Sequence, residues 1–202
     1  LSVFSLIDVS KINDPETLEL IDILKLTSEN LKETLNNSID ELIENENINT
    51  QVEEINLRKS LDEVLVSVNS LIKDSKAIIH IDFSAVESIV FNKAYMKSIF
   101  LNLVTNSIKY AKVGYVPVIT IQSKKTNGVN QLIFSDKGVG FDMDKVKDKI
   151  FGLYEKFHSN NDFSSNGIGL YLVYNHITSL GGRIAVKSKI NEGATFTISF
   201  KY

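Results

Sequence analysis

Six short stretches between residues 77 and 200 carry the alternating apolar and polar residues of half-buried strands: AIIHIDF, SIVFN, VITIQSKK, NQLIFSD, RIAVKSK and ATFTISF. Asn127-Gly128 separates two of them as a turn. Helical patterns fall among them without strict alternation. Ser60 with Glu63 has the form of a capping box, opening a helix with Val64, Leu65, Val68, Leu71 and Ile72 on one face. A second helix runs from about Ala94 to Ala111, and a third from about Gly167 to Leu180, where Gly181-Gly182 signals a C-cap. Strands and helices mixed in this order predict an α+β fold, with a mixed or mainly antiparallel sheet and helices on one face.

The chain has 202 residues, enough for one ordinary domain or for a domain with a helical appendage. The front end differs from the rest. Residues 1–12 have the pattern of the end of an amphipathic helix. Asp14 is an N-cap type, Pro15 suits the first turn, and Leu24, Leu31, Leu35 and Leu42 keep a heptad register. Residues 1–48 are therefore expected to form a dimerising helical hairpin, with a bundle helix that serves only as scaffold as the alternative, residues 49–56 a polar linker, and residues 57–202 the main domain. No cysteine is present, so disulfides and thiolate metal sites are excluded. A net charge of −3 argues against a nucleic-acid partner. No apolar run approaches the ~20 residues that span a bilayer, and no membrane contact by this chain is expected.

The helix FLNLVTNSIKYA (100–111) poses the chemical question. Ile99, Phe100, Leu103, Val104 and Ile108 can bury one side, while Asn102, Asn106, Lys109 and Tyr110 form a polar stripe. An Asn oxygen can ligate a hard cation, Lys109 can meet a phosphate as a point charge, and Tyr110 offers a flat ring to a base. A solvated helix face would read the same way. Asp136 ends an apolar strand and leads into Gly138 and Gly140 in SDKGVGF, either an ordinary turn or a site that lets a ligand approach the backbone. In NGIGLYLV, Gly167 and Gly169 lead into a helix whose N-terminus could hold phosphate. NEGATFTISF contains Thr195, whose hydroxyl could lie near the Asp136 carboxylate.

Each segment is weak alone, but their order and spacing are specific. Together they resemble the catalytic and ATP-binding domain of two-component sensor histidine kinases, in the GHKL ATPase superfamily. LNLVTNSIKYA is similar to the asparagine box, DKGVGF to the first glycine box, GIGLYLV to the second and IFGLYEKFH (150–158) to the phenylalanine box. The resemblance implies a two-layer α/β sandwich preceded by a helical hairpin. It implies ATP and Mg2+ as cofactors, with Asn106 on the metal and Asn102 in the same site. Lys109 would meet phosphate, and Tyr110 would pack by the nucleotide. Asp136 would read the adenine amino group, with Thr195 supporting it through water. Gly138, Gly140, Gly167, Ile168, Gly169 and Leu170 would shape the pocket, residues 158–166 would cover it, and Lys156 and Phe157 would complete it.

The implied activity is transfer of the ATP γ-phosphoryl to a histidine, for relay to a response-regulator receiver domain. The implied assembly is a homodimer through the hairpin, and the implied location is the cytoplasm. The acceptor histidine of such kinases is expected ahead of Leu1, since His80, His158 and His176 read as structural and this chain should not autophosphorylate. Tyr171 and Ser159 depart from the family pattern. They leave a second reading, a docking and dimerisation module that binds nucleotide weakly.

Overall fold

The computed structural model describes residues 51–146, 149–152 and 168–201, together with Ile12, Asp14, Thr17, Leu18, Leu20, Ile21, Ile23 and Leu24. The chain divides into two compact units, Leu1–Thr50 and Gln51–Tyr202. In the first, Thr17 to Leu24 is helical at its described residues. Asp14 caps it as its sequence position predicts: the Thr17 N–H donates to Asp14 Oδ2 at 3.1 Å. Leu31, Leu35 and Leu42 lie outside the described residues, as does Pro15.

The second unit begins earlier than the sequence suggests. Residues 53–56, expected to belong to the linker, form strand β1 (Glu53–Asn56), which pairs antiparallel with β3 (Ser88–Phe91). Of β1 only Ile55 is buried, so the strand leaves almost no apolar signal. Helix α1 (Leu57–Ser67) starts three residues before the expected capping box. Its cap is Asn56, whose side chain accepts the Lys59 N–H at 2.9 Å. Ser60 is instead buried within the helix, and Glu63 forms ion pairs with Lys93 and Lys97. The early start puts Leu57 and Leu61 on one buried face. At Val68 the backbone leaves helical geometry, and a separate α2 (Asn69–Ser75) follows.

Strand β2 (Ile78–Asp82) then leads through β3 to α3 (Lys93–Lys109), the asparagine helix, which Asn92 caps by accepting the Tyr95 N–H at 2.9 Å. Strands β4 (Val118–Thr126) and β5 (Val129–Asp136) form a hairpin, with Asn127 and Gly128 both at positive φ as a type I′ turn requires. A one-turn α4 (Met143–Val146), helix α5 (Gly169–Thr178), and strands β6 (Arg183–Lys189) and β7 (Gly193–Ser199) complete the unit. Helix α5 ends in a Schellman pair: the Gly182 N–H donates to Ile177 O and the Gly181 N–H to Thr178 O, with Gly181 at φ +74°.

The main sheet has order β2-β4-β5-β7-β6, and only the β2–β4 pair is parallel. One side chain from each of four strands lines up across it, Ile121, Phe134, Phe196 and Val186. These join Ile99, Phe100, Leu103, Val104, Val173 and Ile177 from α3 and α5 in one hydrophobic core. The helices thus cover one face of a mixed sheet, as the strand pattern predicts. That packing places the polar stripe of α3 beside the end of β5 and the start of α5.

Candidate functional site

Asn102 and Asn106 are half-buried and one turn apart on α3. Asn102 Nδ2 donates to the Ser98 carbonyl at 2.8 Å, which distinguishes the nitrogen of the carboxamide from its oxygen. Oδ1 faces α5: a Cβ placed on Gly169 would lie 2.8 Å from Asn102 Oδ1 and 3.6 Å from Asn106 Nδ2. A Cβ at this position would force the Asn102 carboxamide to shift. The Asn106 carboxamide has no hydrogen-bond partner among the described residues. Ile168, in the N-cap position of α5, makes no side-chain cap hydrogen bond. Leu170 packs into the core edge.

The first glycine segment closes on the other end of α3. Tyr110 terminates that helix, and its carbonyl accepts the Val139 N–H at 2.9 Å. A Cβ on Gly138 would sit 2.5 Å from that carbonyl oxygen, and one on Gly140 would sit 2.1 Å from the Lys189 carbonyl oxygen. Lys109 Nζ lies 5.8 Å above the Tyr110 ring, a cation–π distance, and its charge suits the C-terminus of the helix.

Asp136 lies on the helix-covered face of the sheet, paired with buried Ile119. Oδ1 accepts the N–H of Gly138 at 2.8 Å and of Ala194 at 3.3 Å, and Oδ2 accepts the Ser107 hydroxyl at 3.4 Å. Burial nevertheless outweighs these bonds and pushes the carboxyl pKa up from its ordinary value. The result is a partly desolvated carboxylate whose Oδ2 has one long bond and spare acceptor capacity.

Thr195 is not brought to this carboxylate. It pairs with Ser135, and its hydroxyl lies 3.0 Å from the Ser135 hydroxyl. Consecutive strand residues point to opposite faces, so Ser135 and Thr195 face away from Asp136. The β7 contact is made one residue earlier, by the backbone of Ala194. Lys156, Phe157 and Gly167 lie outside the described residues, as do residues 158–166.

The sequence reading did not single out Ser107, whose 5% exposure puts its hydroxyl inside the site. It also passed over the support of Asn102. His176 Nε2 lies 3.1 Å from Ser98 Oγ, and its ring stacks on Tyr95 with centroids 4.1 Å apart. A polar residue on the apolar face of α5, between Val173 and Ile177, was the available signal, because such a group needs a partner.

Residues 92–202 match the family of histidine kinase-, DNA gyrase B- and HSP90-like ATPases. The chain belongs to this ATPase family. Among curated relatives, the heme sensor protein HssS of Staphylococcus saprophyticus is 34% identical over 148 residues, covering 67% of this chain and 31% of HssS. The autoinducer 2 sensor kinase/phosphatase LuxQ of Vibrio vulnificus is 26% identical over 200 residues, covering 93% of this chain and 23% of LuxQ. The chain thus spans less than a third of either relative. The catalytic domain of histidine kinase ThkA shares the fold, with a TM-score of 0.61 at 22% identity over 74% of this chain and 95% of that one. The α+β architecture is the GHKL type, and the ATPase-family chain has sensor histidine kinases among its relatives. No helix among its described residues is long and apolar enough to cross a membrane.

Proposed function

We infer that this ATPase-family chain is the ATP-binding core of a sensor histidine kinase and donates the ATP γ-phosphoryl to a histidine for relay to a response-regulator aspartate. One observation carries the reading most directly. Both glycine segments close on the asparagine helix: a Cβ at Gly138 would clash with the Tyr110 backbone carbonyl, and one at Gly169 would crowd the Asn102 carboxamide. A nucleotide lying along this helix would meet Asp136 at one end and the asparagines at the other.

The residues present fit Mg2+ and ATP. The Asp136 carboxylate can accept a hydrogen bond from an exocyclic amine. The N-terminus of α5 and the Lys109 ammonium suit phosphate. Asn106 offers an unengaged carboxamide oxygen to a hard cation, which takes oxygen ligands. No cluster of three or more His, Cys, Asp or Glu exists among the described residues. A Mg2+ ion would therefore rest on phosphate oxygens with Asn106 as a protein ligand. Bound there, the metal neutralises phosphate charge, and the protein's part is to position the nucleotide and exclude water.

His80 is an exposed residue of edge strand β2 and His176 is buried against α3, so neither is placed as phosphoacceptor in this reading. His158 lies outside the described residues. A homodimer through the hairpin and a receiver-domain partner belong to the same proposal.

Competition against a fluorescent ATP analogue tests it. ATP and ADP should displace the probe at least tenfold better than GTP, because a carboxylate selects the adenine amine and repels the guanine carbonyl oxygen. Equal displacement by GTP would remove Asp136 from base recognition. Failure of the probe to bind would favour the docking-module reading.

A further inference from the structure

One continuous polar path joins α5 to the carboxamide of Asn102. Ser98 lies one turn before Asn102 on α3. Its carbonyl oxygen accepts from Asn102 Nδ2 at 2.8 Å, and its hydroxyl oxygen lies 3.3 Å from the same nitrogen. That hydroxyl oxygen is also 3.1 Å from His176 Nε2, contributed by a residue 78 positions later in the chain. The imidazole is 7% exposed and stacks on Tyr95 of α3 at an interplanar angle of 19°. The contact sits two helical turns beyond Gly169, the point where α5 meets Asn102.

The donors and acceptors are mutually compatible. Burial holds the imidazole pKa down to about 4, so the ring is neutral at physiological pH and one nitrogen accepts. With Nε2 as that acceptor, the Ser98 hydroxyl donates to it. A hydroxyl has one hydrogen, so its lone pairs then remain for the Asn102 N–H. The amide nitrogen is held by the carbonyl and the hydroxyl together. Rotation of the carboxamide would break both bonds and would turn a donor, instead of an oxygen, toward the start of α5.

We propose that Ser98 and His176 are positioning residues that hold the Asn102 carboxamide with its oxygen toward the first residue of α5, fixing the groups that meet the phosphate end of the ligand. This rests on the nucleotide reading above. It also explains why a histidine sits on the buried face of α5: it fixes the relative setting of the two helices that carry the asparagines and the second glycine segment.

The test combines a spectroscopic and a binding readout on the full chain. The side-chain NH2 signals of Asn102, identified by their loss in Asn102→Asp, are followed by NMR in the parent, Ser98→Ala, Ser98→Thr and His176→Gln. Ser98→Ala should move them toward the position of a solvated carboxamide and speed their exchange with water. Ser98→Thr, which keeps the hydroxyl, should retain the parent signals. Affinity for a non-hydrolysable ATP analogue with Mg2+ should fall about tenfold in Ser98→Ala, the range seen when groups behind a ligand are removed. In an Asn102→Ala background the same change should cost less than about twofold, because the two residues act through one path. Unmoved Asn102 signals, or losses that simply add in the double variant, overturn the proposal. If the unmodified chain binds no analogue, the nucleotide reading fails and the inference falls with it. Binding by the parent with additive losses defeats the inference alone.

Discussion

At the residue scale, Asp136 and His176 show opposite uses of burial. Burial raises the Asp136 pKa, so its ionised form costs the fold free energy. A raised acid pKa contributes stability below the ordinary value of 3.8, and that contribution is lost as pH rises through the folded-state value. Asp136→Asn should therefore unfold at the same or a higher temperature than the parent at pH 7, with the advantage vanishing below pH 3.8. Its affinity for an ATP analogue should meanwhile fall more than tenfold. Calorimetric melts and binding titrations on the same samples check both halves. His176 works the other way. Its folded-state pKa of about 4 lies below the ordinary 6.5, so in that interval the unfolded chain takes a proton that the folded chain refuses. Stability from this group is complete above pH 6.5 and falls as pH drops toward 4. Melting midpoints measured across that interval should decline more gently in His176→Gln than in the parent. Asp136 was legible in sequence because its segment falls in order and at matched spacing between the asparagine helix and the second glycine segment. Ser107 and Ala194, 29 and 58 residues away, were not, because only the folded chain brings them to the carboxylate.

At the element scale, α3 organises the site, and its polar stripe and apolar face could be read directly from their helical period. Helix starts were harder. Asn56 and Ser60 are both good caps, and the burial of Leu57 and Leu61 selected the earlier one. Strand β1 stayed hidden because Glu53, Glu54 and Asn56 all face solvent. Thr195 was misplaced for a related reason: one residue of strand register decides which face a side chain takes. At the start of α3, Asn92 accepts the Tyr95 N–H and also donates to the Gln51 carbonyl at 2.9 Å. Asn92→Ala should cost about 1–2 kcal/mol. Chemical denaturation should register this as a lower midpoint with an unchanged slope. A change in slope instead would mean that the substitution altered more than the cap.

At the scale of the whole molecule, the mixed sheet and its single helical layer followed from alternating strands between non-alternating helices. The parallel β2–β4 pair did not, since strand direction leaves no mark on a period-two pattern. The unit Gln51–Tyr202 contains every described site residue and its own core. Residues 51–202 alone should fold cooperatively and bind an ATP analogue as tightly as the full chain. An analogue at a hundred times its dissociation constant should add about 2.7 kcal/mol to stability, raising the melting temperature by roughly 5–10 °C. A melt of this shorter chain with and without analogue reads both expectations.

The most direct measurement is a calorimetric titration of the chain with a non-hydrolysable ATP analogue, with and without Mg2+, beside Asp136→Asn and Asn106→Ala. The account predicts saturable one-to-one binding that Mg2+ tightens. Asp136→Asn should weaken it at any Mg2+ concentration, and Asn106→Ala should remove most of the Mg2+ effect. Parent binding that both substitutions leave unchanged would contradict the account, because the nucleotide would then lie away from the asparagine helix.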